Sequence, residues 1–118
     1  MQNKLTELKL KVVDFIEERD WKQFHNPKDV AQALSIEAAE LSELFLWVPQ
    51  GKSYDVAQDK REAVSDEMAD VFAYLLAFSE TTGIDLEEAL INKLEKNKKK
   101  YPIDKVKGSS KKYTEYKD

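Results

Sequence analysis

The chain has 118 residues, of which 42% are hydrophobic and 36% charged, and its net charge is -4. This size and polarity suit one domain with one modest core and exclude a membrane span, while the acidic balance argues against a nucleic-acid binder with a basic surface. With no Cys and one His, disulfides, thiol nucleophiles and multi-histidine metal sites are excluded, and a cytoplasmic location is expected.

Charge is distributed unevenly along the chain. Acidic side chains outnumber basic ones in residues 1–92, whereas basic side chains predominate from residue 93 to the end. An acidic body with a basic end suits a ligand that is itself both cationic and anionic, such as a metal-bound phosphate.

Apolar residues recur at helical spacing between only three Gly and three Pro, which predicts an all-α fold. The first helix is predicted over about residues 4–18. After a polar break, Asn26 as N-cap and Pro27 at the first helical position predict a second helix that reaches about Trp47.

Two further helices follow in the second half of the chain. The third is predicted over about residues 59–82, with Gly83 in a left-handed conformation at its end. The fourth is predicted over about residues 86–100, with Asp85 as its N-cap.

These connections predict one helical domain over residues 1–102. Short loops favour antiparallel neighbours, so the second and third helices are expected to pair at the centre of an antiparallel four-helix bundle. A bundle this small is expected to need a second copy of itself to cover its apolar faces. From residue 103 to 118 the composition shifts to Lys, Ser, Gly and Tyr, which predicts a C-terminal tail.

Acidic residues interrupt the apolar stripes of the second and third helices. Positions 30, 34, 37, 41, 44 and 48 form one stripe that is apolar except at Glu37, and Glu40 lies one turn further on its flank. On the third helix Glu67 interrupts the stripe at 64, 67, 71, 74 and 78, with Asp70 one turn beyond. Antiparallel packing would bring the four carboxylates together where water is excluded.

Converging carboxylates out of water need a counter-charge. Their desolvation and mutual repulsion are costly, protonation of three or four at neutral pH is implausible, and no Lys or Arg lies on either stripe near them. An all-oxygen set selects a hard divalent ion, which predicts Mg²⁺, with Mn²⁺ as a substitute. Mg²⁺ on a few carboxylates keeps positions for water and phosphate oxygens, an arrangement typical of phosphoryl-transfer sites.

Acidic pairs on helices also occur in proteins that bind no metal through them. A single acidic pair is usually a solvated helix face, but two pairs on neighbouring helices favour the metal site. An alternative is a non-catalytic, self-associating helical binding module whose acids form interhelical contacts. A ferritin-like di-iron protein is excluded because the chain has no E-x-x-H pair.

The two acidic pairs also carry a family resemblance. E-A-A-E at 37–40 and E-M-A-D at 67–70 resemble the E-x-x-E and E-x-x-D signature of the MazG-like, all-α nucleoside triphosphate pyrophosphohydrolases. Four other stretches are similar to the dCTP pyrophosphatase branch of that superfamily: R-D-W-K-Q-F-H-N-P at 19–27, L-F-L-W at 44–47, D-V-F-A-Y-L-L at 70–76 and K-L-E-K-N-K-K-K-Y-P at 93–102. The resemblance covers about residues 4–102.

The resemblance implies a role for individual residues. The positions that match the family's magnesium ligands and catalytic acids are Glu37, Glu40, Glu67 and Asp70. The positions that match the surroundings of the base and sugar are Trp21, Lys22, Gln23, Phe24, His25, Trp47 and Tyr74. The positions that match the neighbourhood of the phosphates are Lys93, Asn97 and Lys100, where Lys100 replaces an Arg of the family and offers a point charge instead of a bidentate contact.

These observations predict an Mg²⁺-dependent hydrolase that converts a nucleoside triphosphate to the monophosphate and pyrophosphate. The resemblance implies dCTP or a modified dCTP as the substrate, and housekeeping of the nucleotide pool as the purpose. One of the four acids, with Glu40 favoured, is expected to accept the proton of the attacking water, and attack at the α or the β phosphorus stays open. The resemblance implies a homodimer or homotetramer. The charge and polarity of the chain lead us to expect no nucleic-acid or membrane partner.

Overall fold

The structure is a computed structural model that describes residues 3–110. Over these residues the chain forms helices and turns and no β-strand, which confirms the predicted all-α class. The α-helices are α1 (Lys4–Glu18), α2 (Pro27–Glu43), α3 (Ser53–Asp59), α4 (Arg61–Thr82), α5 (Leu86–Lys100) and α6 (Ile103–Val106). Two short 3₁₀ helices lie at Lys22–Phe24 and Gln50–Lys52.

Polar caps begin α2 and α5 where the sequence predicts them. Asn26 Oδ1 accepts a hydrogen bond from the backbone N–H of Asp29 at 2.9 Å, which begins α2. Asp85 Oδ1 accepts from the N–H of Glu88 at 3.0 Å and begins α5 in the same way. Gly83, with φ of 71°, ends α4 in the left-handed conformation that a residue without Cβ adopts freely.

The connection between α2 and α4 differs from the prediction. The second helix was predicted to reach Trp47, but α2 ends at Glu43, since residues 44–46 donate to carbonyls three residues back and Trp47 turns left-handed with φ of 63°. The third helix was predicted from about residue 59, and α4 begins at Arg61. The separate helix α3 is only seven residues long, too short to show the periodicity on which sequence analysis depends.

The segment predicted as a C-terminal tail begins with one turn of helix, α6. The Pro102 carbonyl accepts from the amides of Lys105 and Val106, both at 3.0 Å, so local hydrogen bonds form this turn. Residues 111–118 of the predicted tail lie outside the described residues. The predicted boundary between residues 102 and 103 stays a prediction.

The chain divides into two compact units between Ile84 and Asp85. In the first unit, α4 packs against both α1 and α2. Val30 of α2 and Ala77 of α4 share one buried cluster, whereas Lys60, next to the start of α4, donates through Nζ to the carbonyl of Leu44 at 3.4 Å. The start of α2 therefore lies beside the end of α4, and the end of α2 lies beside the start of α4. This confirms the predicted antiparallel pair.

The second unit contains α5 and α6. The last turn of α5 is basic, with three consecutive Lys at positions 98–100 opposite the acidic first turn of the same helix. This distribution favours the helix because cations stabilise the negative end of its dipole. Among the described residues, no helix combines the length and apolar composition that crossing a bilayer would require.

Candidate functional site

Three of the predicted carboxylates converge where α2 contacts α4. Glu37, Glu67 and Asp70 each offer one oxygen, and these oxygens all lie within 4.8 Å of one another. Glu37 and Glu67 are partly buried because they stand on the apolar stripes of their helices, and Asp70 is exposed one turn further along α4. The stripe pattern of the sequence therefore places these acids where the two helices meet.

The acidic cluster lacks compensation from the protein. The Oε2 atoms of Glu37 and Glu67 are buried, and neither has a hydrogen-bond partner among the described residues. Burial, followed by the neighbouring carboxylates of Glu40, Glu67 and Asp70, raises the pKa of Glu37 to about 7. Burial also raises the pKa of Glu67. None of the ion pairs in the described part of the chain involves these acids.

Glu40 lies beside this cluster. Its carboxylate contributes to the raised pKa of both Glu37 and Glu67, which places it within interaction distance of the two. It does not belong to the set of oxygens that converge within 4.8 Å. The four predicted acids are thus gathered at one place, with three forming the cluster and Glu40 at its edge.

The donor set fits a hard divalent cation. Carboxylate oxygens are the ligands that Mg²⁺ and Mn²⁺ prefer, and a buried acceptor without a partner is uncommon in a folded protein. A cation among these oxygens would supply the missing interaction and remove the repulsion. The chain therefore contains a possible acidic metal site.

A cavity of ≈ 130 Å³ lies next to Asp70, between α1 and α4. Its lining brings together Trp21, His25 and Tyr74, three of the residues predicted to surround a base. The remaining lining is apolar and consists of Val12, Phe15, Ile16, Ala73 and Ala77. The cavity is thus lined both by aromatic rings and by one acidic side chain, Asp70.

The end of α1 holds Trp21 at this cavity. The N–H of Trp21 donates to the carbonyl of Ile16 at 3.1 Å, and the N–H of Asp20 donates to that of Glu17 at 3.0 Å. Asp20 is left-handed with φ of 55°, so the pattern is a Schellman motif, in which a residue just past the helix contacts the last turn. The ring of Trp21 accordingly lies against Phe15, with centroids 5.8 Å apart.

Phe15 and Asp20 were not predicted from the sequence as parts of this arrangement. A polar residue able to turn left-handed, followed by a large apolar residue, is the signal that could have indicated the motif. The usual Gly is absent at this position, which concealed it.

His25 lies between two cavities. Besides the smaller one, it lines a cavity of ≈ 350 Å³ that is also lined by Lys22 and Glu17, whose side chains form an ion pair at 3.9 Å. The Nδ1 atom of His25 is buried and has no hydrogen-bond partner among the described residues. This atom is available to a ligand or a water molecule.

The other predicted residues are not gathered at the smaller cavity. Gln23 donates through Nε2 to the carbonyl of Asp20 at 2.9 Å and to its Oδ2 at 3.2 Å, so it supports the turn that precedes it. Phe24 is exposed, and Trp47 is 91% exposed. The predicted phosphate-binding residues lie on α5, in the second unit, and are Lys93, Asn97 and Lys100.

Comparisons with known proteins agree with this architecture. The sequence profile of the MazG-like family matches residues 32–116. The chain is 39% identical over 104 residues to human dCTP pyrophosphatase 1 and 38% identical to the bovine protein of the same name, in both cases over 86% of its own length. It spans 61% of the human protein and 62% of the bovine one.

A solved structure is similar as well. The crystal structure of a pyrophosphatase from Archaeoglobus fulgidus matches with a TM-score of 0.83 and 36% sequence identity, over 86% of this chain and 95% of that one. The family profile covers well over half of the chain and includes both acidic motifs. The chain therefore belongs to the MazG-like family.

Proposed function

We propose that this chain is an Mg²⁺-dependent nucleoside triphosphate pyrophosphohydrolase that releases a nucleoside monophosphate and pyrophosphate. The observation that carries the proposal is the carboxylate cluster of Glu37, Glu67 and Asp70, since Asp70 also lines a cavity that has aromatic walls. A divalent cation at the carboxylates would bind the phosphates of a nucleotide, and the aromatic rings of the cavity would stack on its base. The names of the human and bovine relatives favour dCTP or a modified dCTP as the substrate.

The cluster is proposed to hold Mg²⁺, for which Mn²⁺ can substitute. When bound, the ion supplies charge neutralisation on the phosphate oxygens and lowers the pKa of water. Glu37 and Glu67 provide buried oxygens that lack other partners, and Asp70 provides an exposed one next to the cavity. Because Asp70 is the exposed acid of the three, the substrate is proposed to approach the ion from the side of Asp70.

Glu40 is proposed to accept the proton of the attacking water. It is close enough to the cluster to influence Glu37 and Glu67, yet its oxygens lie outside the converging set. A carboxylate that is near the reacting group but not needed as a ligand is free to act as a general base.

Trp21 and Tyr74 are proposed to contact the base. Both line the ≈ 130 Å³ cavity, and a broad ring such as indole stacks on any base. His25 lines the same cavity and offers the unpartnered Nδ1 to a polar atom of the substrate. Asp70 connects this cavity to the carboxylates.

Two or four copies of the chain are proposed to assemble in the cytoplasm. A groove of ≈ 600 Å³ runs along α4, where Met68 and Phe72 are spaced by one turn and are both exposed. Exposed apolar side chains in such a row are typical of a protein interface. Trp47 is 91% exposed, which suits a residue that completes the pocket of a neighbouring copy.

The decisive experiment is a screen of standard and modified nucleoside triphosphates with Mg²⁺ that measures pyrophosphate and orthophosphate separately. We expect pyrophosphate in equal amount to the monophosphate. Orthophosphate alone from every substrate would reject the proposed bond cleavage. Turnover of no standard or modified nucleotide by the folded protein would favour the alternative, a self-associating helical binding module.

A further inference from the structure

Arg19 lies outside the lining of the ≈ 130 Å³ cavity but contacts one of the rings that form its wall. Its Cζ lies 3.8 Å from the centroid of the Phe15 ring. Its Nη1 donates to the backbone carbonyl of Phe15 at 2.9 Å. The guanidinium is therefore held by both the ring and the backbone of one residue, a geometry that a planar, forked donor allows.

Phe15 in turn contacts the ring of Trp21. The two rings meet at 75°, with centroids 5.8 Å apart, which is the edge-to-face arrangement that aromatic quadrupoles favour. Both rings line the cavity. Arg19 thus packs on a ring that itself supports the indole of the cavity.

The backbone turn at the end of α1 brings Arg19 and Trp21 close to Phe15. Arg19 is the C-cap of α1, Asp20 adopts the left-handed conformation after it, and Trp21 follows directly. The left-handed conformation is unfavourable for a residue with Cβ, so this turn needs support from its side chains. The stack on Phe15 and the hydrogen bonds of Gln23 to Asp20 provide such support.

The charge of Arg19 is partly offset by its neighbour. Glu18 Oε2 lies 3.7 Å from Nη1 of Arg19. The negative charge of Glu18 lowers the positive potential that Arg19 offers to a phosphate. The short distance between its guanidinium and the Phe15 ring is the feature that distinguishes it.

We propose that Arg19 is a positioning residue for base binding, which acts through Phe15 to hold Trp21 against the cavity. This inference rests on the proposed function, in which the cavity receives the base. The role is geometrical, so a lysine, which keeps the charge but lacks the planar guanidinium, cannot replace Arg19.

A spectroscopic test needs no nucleotide. The chain has two Trp, so in a Trp47→Phe background Trp21 is the only indole. We expect acrylamide to quench Trp21 more strongly after Arg19→Gln and also after Arg19→Lys. Lys11→Gln, which removes a positive charge from an exposed position of the same helix, should leave quenching unchanged. Circular dichroism verifies that each variant keeps its helices.

A kinetic test uses the same substitutions with Trp47 intact. Loss of the contact between the guanidinium and the Phe15 ring is expected to raise KM for the nucleotide about two- to fivefold in both variants, with kcat and half-saturation by Mg²⁺ unchanged. Phe15→Leu should raise KM too, and adding Arg19→Gln to it should have little further effect, because Arg19 acts through that ring.

Three results would overturn the inference. The first is unchanged quenching of Trp21 in Arg19→Gln. The second is wild-type behaviour of Arg19→Lys alongside a defective Arg19→Gln, which would assign the effect to charge. The third is a loss of kcat at constant KM. If the wild-type chain turns over no nucleotide, the proposed function fails, whereas the quenching comparison still decides whether Arg19 positions Trp21.

Discussion

Glu37 on α2 and Glu67 on α4 bring carboxylate oxygens within 4.8 Å of each other while the Oε2 atom of each is buried without a hydrogen-bond partner. Ionised carboxylates in this position repel each other and have lost water without compensation. The folded protein is therefore expected to gain from a proton or a cation there. Protonation, metal binding and substitution should all act on the same source of instability.

The metal-free protein is expected to lose stability as the pH rises from about 4.5 through about 7. Burial and the neighbouring acids raise the pKa of Glu37 in the folded protein to about 7 from the ordinary 4.5. In this interval the folded state binds more protons than the unfolded state, so the free energy of unfolding falls with increasing pH. Urea unfolding in EDTA between pH 5 and pH 8.5 measures this slope.

Glu37→Gln is the control for this pH dependence. The substitution removes the titrating group, so the difference in unfolding free energy between the variant and the wild type should grow in favour of the variant as the pH rises. Saturating Mg²⁺ should reduce the slope of the wild type. A difference that stays constant across the range would contradict the assignment to Glu37.

Glu67→Gln is expected to weaken Mg²⁺ binding and to lower turnover by more than about 100-fold, since even substitution of the outer-shell partners of a metal costs about 10- to 100-fold. The same substitution should raise the melting temperature in EDTA because it removes one of the repelling charges. Asp66→Asn is the matched control, as it removes an exposed negative charge from the adjacent position of α4. Equal Mg²⁺ affinity in both variants would argue for the binding module.

Trp21→Leu is expected to raise KM about 5- to 150-fold, because stacking of a base on an aromatic ring contributes about 1–3 kcal/mol. The KM of Trp21→Phe should lie between those of Trp21→Leu and the wild type, since Phe keeps a smaller aromatic ring. Tyr54→Leu, which removes an exposed ring on α3, serves as the control. An unchanged KM for Trp21→Leu would show that the base binds elsewhere.

Trp47→Gly is expected to be more stable than Trp47→Ala by about 1 kcal/mol, because a residue with Cβ is disfavoured at a φ of 63° and glycine is not. Thermal or urea unfolding of the two variants measures this difference. Both variants should lose base binding equally if Trp47 completes the pocket of a neighbouring copy. A rise in KM for only one of the two variants would contradict that role.

The two central helices and their acids were predictable from local information. Apolar spacing indicated which face of each helix is buried, and the N-cap Asn26 indicated where α2 begins. Glu37 and Glu67 stood out because they occupy positions of those buried faces. The end of α2 and the short helix α3 were not predictable, since the turn at residues 44–47 depends on a left-handed Trp and seven residues show no clear period.

The sequence by itself determined the all-α class, the starts of α1, α2 and α5 and the chemistry of the acidic pairs, because helix period and capping act within a few residues of the chain. Only the tertiary structure decided which carboxylate oxygens converge, that Glu40 stands at the edge of the cluster, and that Phe15, Trp21, His25 and Tyr74 share a cavity with Asp70. Those relationships depend on how helices far apart in sequence pack together. A pattern of spacing gives the face of a helix but not the distance between atoms on two of them.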